Sequence, residues 1–164
     1  MSIPATAFTF KSFAQVAPGQ LFRWRDVWVM KSSYMDTQNG NTITPIGVIL
    51  TGTTLGHWEP EPRLPTGRLA TLADGWTWRA EIEGVEAIEE GDSIDGSLLY
   101  LPQGLAIAAT FQVWGCFAGL DGQDHYQAVG YTRRQPRATQ WKGFLVAPDS
   151  SSTWPLFSVS ANAE

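Results

Sequence analysis

Cys116 and His125 are the one pair in this sequence with the residue types that nucleophilic catalysis requires. A catalytic cysteine needs a nearby imidazole to hold it as a thiolate, and a third group to orient that imidazole. If the chain turns at Asp121-Gly122 and returns as a strand over 124–132, the two residues become diagonal neighbours on one face. A small buried cysteine is, however, a common strand residue. We therefore predict a protein that is not an enzyme, with this pair as its one catalytic candidate.

A metal site would require the two histidines, His57 and His125, to meet among carboxylates. The spacing of the histidines and acidic residues matches no metal-binding motif, and the segment DSIDG at 92–96 is too short for an EF-hand loop. The sequence also lacks a glycine-rich phosphate loop, a GxSxG elbow and an HExxH motif. We expect neither a metal nor a cofactor.

Tryptophan offers a different kind of chemistry, because the chain has eight of them. Trp76 and Trp78 are two residues apart, so on a strand they share a face and form a platform for a sugar ring or a partner; Trp24 and Trp28 have an equivalent relation. His57 and Trp58 stand in a proline-rich segment, where loops present recognition residues. Core packing is the other role of such rows. The alternative function is a carbohydrate- or ligand-binding β-sandwich module using His57, Trp58, Trp76 and Trp78.

Two clusters of opposite charge are a further candidate for binding. Residues 81–95 contain seven acidic side chains and no basic one, and a basic cluster surrounds Pro136. Each cluster is explained either as a solvated face or as one side of a contact between subunits, where complementary charge fixes the register. The predicted assembly interface consists of Glu86, Glu89, Glu90, Asp92, Arg133, Arg134, Arg137 and Lys142.

The overall composition limits the classes of partner. Charged residues make up 16% of the chain, against about 25% in an average protein. The net charge of −5 argues against nucleic acid, whose binding depends on Lys and Arg. A single cysteine cannot form an internal disulfide. The N-terminal segment has neither the charged nor the apolar region of a signal peptide, so we expect synthesis in the cytoplasm.

The uncharged stretch from Leu98 to Leu120 is the segment around which the fold is expected to form. Its length suits a membrane span, but Pro102, Gly104 and Gly115 disfavour a helix. From Leu105 the side chains alternate between two faces, as in a β-strand. The pattern predicts one long, mostly buried strand and no transmembrane segment.

The remaining signals also indicate β-structure. Pro18-Gly19 fits a type II turn, Asn39-Gly40 marks a hairpin, and 76–83 is a half-buried strand. We predict one strand over 21–34, with a bulge or turn near Arg25-Asp26. Residues 51–67 are expected to form a long loop, and 148–164 to pack on the domain or on a neighbour.

Together these signals predict a single all-β domain over residues 1–164, a β-sandwich, jelly roll or barrel of about eight to ten short antiparallel strands with long loops. Low charge, abundant aromatics and the missing catalytic motifs favour a non-enzymatic structural protein. We expect a β-rich subunit of a larger complex, such as a capsid, decoration or tail protein of a virus or phage particle. Its partners would then be copies of itself or other subunits of that assembly.

Overall fold

A computed structural model of the chain describes residues 2–129 and 134–161. The described part is almost entirely β-structure, arranged in three antiparallel sheets. Its helical segments are short: single turns of 3-10 helix and one four-residue α-helical turn, Tyr126–Val129. None of these helices has the length and hydrophobicity needed to cross a membrane. The predicted all-β class is confirmed.

Fourteen strands lie within the described residues, more than the eight to ten expected. In chain order they are β1 (Phe8–Ser12), β2 (Leu21–Trp24), β3 (Val27–Asp36), β4 (Thr42–Ile49), β5 (Trp58–Pro60), β6 (Arg68–Leu72), β7 (Thr77–Glu81), β8 (Glu89–Asp92), β9 (Leu98–Leu101), β10 (Gly104–Phe111), β11 (Trp114–Gly119), β12 (Arg134–Ala138), β13 (Gln140–Val146) and β14 (Thr153–Ser160).

Sheet A has the strand order β1-β6-β2-β3-β4-β5, sheet B the order β11-β10-β9-β12-β8, and sheet C the order β14-β13-β7. In the described part of the chain each sheet has two different end strands, so none closes on itself. The architecture is therefore that of a sandwich and not of a barrel.

The main core lies where side chains of all three sheets meet. Burial of their apolar surface is the dominant stabilising contribution to such a fold. Sheet A contributes residues such as Met30 and Ile46, sheet B contributes Leu98 and Ile107, and sheet C contributes Trp141. Side chains of sheet A thus pack against side chains of sheets B and C.

Smaller clusters cover the opposite faces of sheets A and B. Phe13 and Val16 pack on Phe22 and Val29 of sheet A. Within this layer Lys31 is buried, and its Nζ donates to the carbonyl oxygen of Phe13 over 2.8 Å. Loss of solvation lowers the pKa of Lys31. The lysine therefore fastens the segment that crosses the outer face of the sheet.

The prediction of one long strand over Leu98–Leu120 is wrong, because this stretch forms the three strands β9, β10 and β11. Within β10 the alternation holds: Ile107 and Ala109 face the main core, and Ala106 and Ala108 face away. The chain then reverses at Gln112, whose φ is +54°.

The prediction of one strand over 21–34 is corrected in the same way. Of the bulge or turn predicted near Arg25-Asp26, the structure has the turn: Arg25 has a φ of +58°, and β2 and β3 form a hairpin. Trp24 packs on the outer cluster and Trp28 in the main core, so they lie on opposite faces of sheet A. A platform made of these two tryptophans is excluded.

The turns predicted from glycine are confirmed. Gly19 has a φ of +85° within a turn closed by the Gln20 N–H and the Ala17 carbonyl oxygen, 3.0 Å apart. Gly40 has a φ of +70° between β3 and β4. By contrast, the strand predicted at 124–132 does not form over its described residues, because 126–129 is a helical turn.

The two outlying segments contain more regular structure than expected. The predicted loop at 51–67 includes strand β5 and a 3-10 turn, Glu61–Arg63, and it buries Trp58 and Leu64. In the C-terminal segment, residues 153–160 form β14, which pairs with β13 along its length. Both segments are therefore part of the sandwich.

Candidate functional site

The predicted catalytic pair does not assemble. Cys116 is 1% exposed in the main core, and its Sγ lies 3.5 Å from the carbonyl oxygen of Ser33. The ring of His125 instead lies over Gly119 on the other face of sheet B, with Nε2 3.0 Å from Asp121 Oδ2. The bridge between Ala118 and Asp124 replaces the predicted pairing of Ala118 with His125.

The environment of Cys116 also disfavours the reactive form of the thiol. Burial, and then the nearby Asp124 carboxylate, raise the pKa of Cys116 well above its usual value. A nucleophilic cysteine requires the opposite shift, toward the thiolate. The geometry thus gives Cys116 a packing role.

We accordingly expect the Cys116 thiol to resist alkylation by iodoacetamide in the native protein. At about pH 8 its rate should be at least about tenfold slower than in the urea-unfolded chain, because both access and ionisation are suppressed. Mass spectrometry over time measures this, with free cysteine in the same tube as the control. Rapid native labelling would contradict the packing role and revive a thiol-dependent activity.

The predicted acidic and basic clusters meet each other within the same chain. Strands β8 and β12 pair antiparallel, which sets Arg134 opposite Asp92 and Arg137 opposite Glu89. Arg134 Nε lies 3.6 Å from Glu90 Oε1, and Arg137 donates a hydrogen bond to the backbone carbonyl of Asp92. The opposite charges that predicted a contact between subunits therefore pair two neighbouring strands of one chain.

The other members of this predicted interface are more dispersed. Lys142 Nζ pairs with Glu83 Oε1 at 3.3 Å, and Glu86 is exposed on the 3-10 turn Val85–Ala87. Arg133 lies outside the described residues. Charged side chains on an end strand such as β8 discourage unwanted edge pairing. Their use between subunits stays a prediction.

Trp76 and Trp78 are partly buried, and their rings pack against neighbouring side chains. Trp78 contacts the main core, and its Nε1 donates to the carbonyl oxygen of Gly19 over 2.8 Å. The ring of Trp76 lies 5.7 Å from that of Trp154. Because these rings face other side chains, they do not offer the flat open surface that a bound sugar would need.

His57 and Trp58 have different environments although they are adjacent. His57 is exposed, whereas Trp58 is only 4% exposed and begins strand β5. The Trp58 ring stacks on Tyr34 with centroids 4.8 Å apart, and lies 5.0 Å from Phe111. Its Nε1 donates to the carbonyl oxygen of Trp114 over 3.0 Å. Trp58 thus joins sheet A to sheet B.

This junction forms one wall of a recess of about 290 Å³ that we call the aromatic cleft. The cleft lies between the β3–β4 hairpin and the start of β11. Its apolar wall combines aromatic rings with a proline, and its rim is polar. The lining residues are Tyr34, Trp58, Pro60 and Trp114, with Asp36, Gln38, Asn39 and Thr44 at the rim.

A second pocket, of about 420 Å³, is lined by Phe111 together with His57, Glu59, Arg63 and Asp95. Arg63 lies 3.6 Å from Glu59 and covers the Phe111 ring. Desolvation raises the pKa of Asp95, against the effect of its 2.8 Å hydrogen bond from Thr110. Within the described residues no three His, Cys, Asp or Glu side chains cluster as metal ligands. The charges of this pocket are largely paired, so the aromatic cleft is the stronger candidate.

The sequence indicated Trp58 as a contact residue but gave no sign of Tyr34, Phe111 or Trp114. Tyr34 lies on sheet A, and Phe111 and Trp114 lie on sheet B, so strand pairing within each sheet and packing of the two sheets together bring them to Trp58.

Comparison of the chain with protein-family models, with curated proteins and with solved structures finds no match.

Proposed function

We propose that the protein is a non-enzymatic structural subunit of a larger β-rich assembly, such as the capsid, a decoration protein or a tail component of a virus or phage particle. The observation that carries the proposal is the pair of open edges on sheet A. Ile43, near one edge, is 63% exposed, and Phe10, on the other, is 59% exposed.

The first edge belongs to the hairpin of β3 and β4. Strand β5 pairs with β4 only over Ile46–Val48, so residues 42–45 have no strand partner on that side among the described residues. The hairpin is nevertheless held in place from the other side, since Met35 N donates to Asp124 Oδ2 over 3.0 Å. It therefore presents a firm, unpaired edge with an exposed isoleucine.

The second edge is β1, which pairs with β6 alone in the described part of the chain. Open edges present unpaired backbone groups, and proteins that remain monomeric usually protect them with charge. Here each edge carries a large exposed apolar side chain. Because the two edges differ, joining them makes a head-to-tail contact, which generates rings or filaments.

We expect the purified protein to self-associate with increasing concentration, and a charge on either edge to prevent it. Ile43→Lys and Phe10→Lys should each leave a monomer, because a charge at the joined edge must be desolvated. Light scattering and sedimentation velocity across concentration and salt measure the mass. Val85→Lys is the matched control, since Val85 is 80% exposed on the 3-10 turn Val85–Ala87, outside sheet A.

A mixture of the two edge variants tests the head-to-tail geometry directly. Each variant keeps the edge that the other has lost, so the mixture should form dimers that cannot grow. A wild-type chain that stays monomeric at every concentration and salt would overturn the proposal. Loss of association in the Val85→Lys control would instead show that general surface charge matters, not the edges.

A further inference from the structure

We propose that the aromatic cleft binds a neutral saccharide, with one sugar ring seated against Trp114 and its hydroxyls bonded to the polar rim. The cleft rim shares Thr44 with the open edge of β4, but the sugar is placed on the face of the hairpin opposite Ile43, so neither proposal depends on the other. Three features support sugar binding in the cleft: the size of the cleft, the exposure of its rings and the chemistry of its rim.

The size of the cleft suits a single ring. At about 290 Å³ it lies near the lower limit of known ligand clefts, which extends from about 300 Å³ upward. It combines one apolar wall with a few polar groups, the arrangement that orients small ligands. An extended oligomer could place only one residue inside.

Of the aromatic rings, Trp114 is the one most open to a ligand. Trp58 is enclosed between Tyr34 and Phe111, as its 4% exposure shows. Trp114 is 36% exposed and follows the turn at Gln112, while its backbone is fixed by the hydrogen bond from Trp58. The face of an aromatic ring is electron-rich, and it therefore favours the polarised C–H groups on one side of a sugar.

The rim supplies both donors and acceptors, as hydroxyl groups require. Asp36 accepts from Gln38 N over 3.0 Å and from Asn39 Nδ2 over 2.7 Å, which fixes the rim before any ligand binds. In the described structure the Gln38 side chain makes no hydrogen bond of its own. Its amide, like the Thr44 hydroxyl, is both a donor and an acceptor.

The same features argue against charged ligands. Asp36 is the one acidic side chain on the rim and the rim has no basic one, so an anionic ligand would find a carboxylate and no cationic partner there. A cage for a quaternary ammonium group needs several open ring faces around the cation. Here the faces of Trp58 are already covered by other rings. A neutral, hydroxyl-rich ring is the class that remains.

The experiment measures binding of glucose, galactose, mannose and N-acetylglucosamine by calorimetry and by saturation-transfer NMR. Choline and gluconate serve as the cationic and anionic probes. We expect saturable binding of at least one neutral sugar in the millimolar range, with the strongest transfer to protons on one side of its ring. Trp114→Ala should weaken that binding by about tenfold or more, and Gln38→Ala severalfold.

Two controls separate this site from the assembly edges. Phe10→Ala removes an exposed aromatic ring at the far edge of sheet A, and should leave sugar affinity unchanged. Ile43 alternates with Thr44 along β4 and points to the other face, so Ile43→Lys should abolish association and keep sugar binding. Because association and sugar affinity are measured separately in these variants, either proposal can fail while the other holds.

Several results would overturn the proposal. These are absence of binding by all four sugars, preference for choline or gluconate, and unchanged affinity in Trp114→Ala. If Trp114→Ala does not fold, as judged by circular dichroism, the Gln38→Ala variant decides. Unchanged sugar affinity in that variant would place the sugar outside this cleft.

Discussion

Replacing Gly19 with alanine is expected to lower the free energy of unfolding by about 3 kcal/mol or more. Gly19 has a φ of +85°, a conformation that costs an L-residue about 1–2 kcal/mol. A β-carbon at this position would also overlap the carbonyl oxygen of Leu120. Backbone cannot yield as a flexible side chain can, so the turn must move.

The loss of stability in Gly19→Ala is expected to be large because the turn at Gly19 contacts all three sheets. Its N–H donates to the Lys31 carbonyl oxygen of sheet A over 2.8 Å, and its own carbonyl accepts from Trp78 of sheet C. Leu120, whose backbone lies against Gly19, directly follows β11, which is an end strand of sheet B. A shift of this turn therefore disturbs contacts to every sheet.

Gly40→Ala is the matched control for this prediction. Gly40 has a similar φ of +70°, but a β-carbon there would meet nothing within 4 Å. Its loss should be limited to the backbone cost, about 1–2 kcal/mol. Urea unfolding curves with equal m-values give both differences. Equal losses for Gly19→Ala and Gly40→Ala would mean that the contact with Leu120 contributes nothing.

The sequence predicted the turns at Gly19 and Gly40 because a positive φ there has a recognisable chemical requirement. The misfit of Asp26 in an apolar row indicated a bulge or turn near Arg25-Asp26, but the turn at Gln112 was not recognised, because it places a residue with a β-carbon at positive φ. Alternation alone also assigned the wrong faces beyond each turn. Residues that pair across a two-residue turn lie on the same face although one has an even and the other an odd number, as Trp24 and Val27 do. The apolar pattern continued through the turn while the face it occupied changed.

The same limit explains which parts of the candidate site were missed. Trp58 was singled out because it is a large aromatic in a proline-rich segment. Its partners Tyr34 and Phe111 are far away in the sequence, and their rings reach it only through the pairing of strands in sheet A and the packing of sheet A on sheet B. Opposite charges in 81–95 and around Pro136 indicated a contact, but charge alone did not distinguish a neighbouring strand from a neighbouring subunit. Individual residues could be recognised from the sequence, but the contacts between distant segments could not be predicted.

Replacing Trp58 with alanine is expected to cost about 4 kcal/mol, because truncating a buried tryptophan loses both its buried area and its packing. Trp58 is 4% exposed between rings of two different sheets, and its indole N–H bonds to the Trp114 carbonyl oxygen. The loss is a large part of the roughly 5–15 kcal/mol that stabilises a typical domain. Denaturant unfolding monitored by far-ultraviolet circular dichroism measures it.

Trp58→Phe separates the two contributions of this side chain. Phenylalanine keeps a ring between Tyr34 and Phe111 but cannot donate to Trp114, so it should lose less, about 1–2 kcal/mol. Trp114→Ala, at a position 36% exposed, should cost no more than about 1 kcal/mol, since its backbone carbonyl still accepts from Trp58. If Trp58→Ala were as mild as Trp114→Ala, the two sheets would not depend on this ring for their contact. The wall of the aromatic cleft would then be a surface feature and not a structural junction.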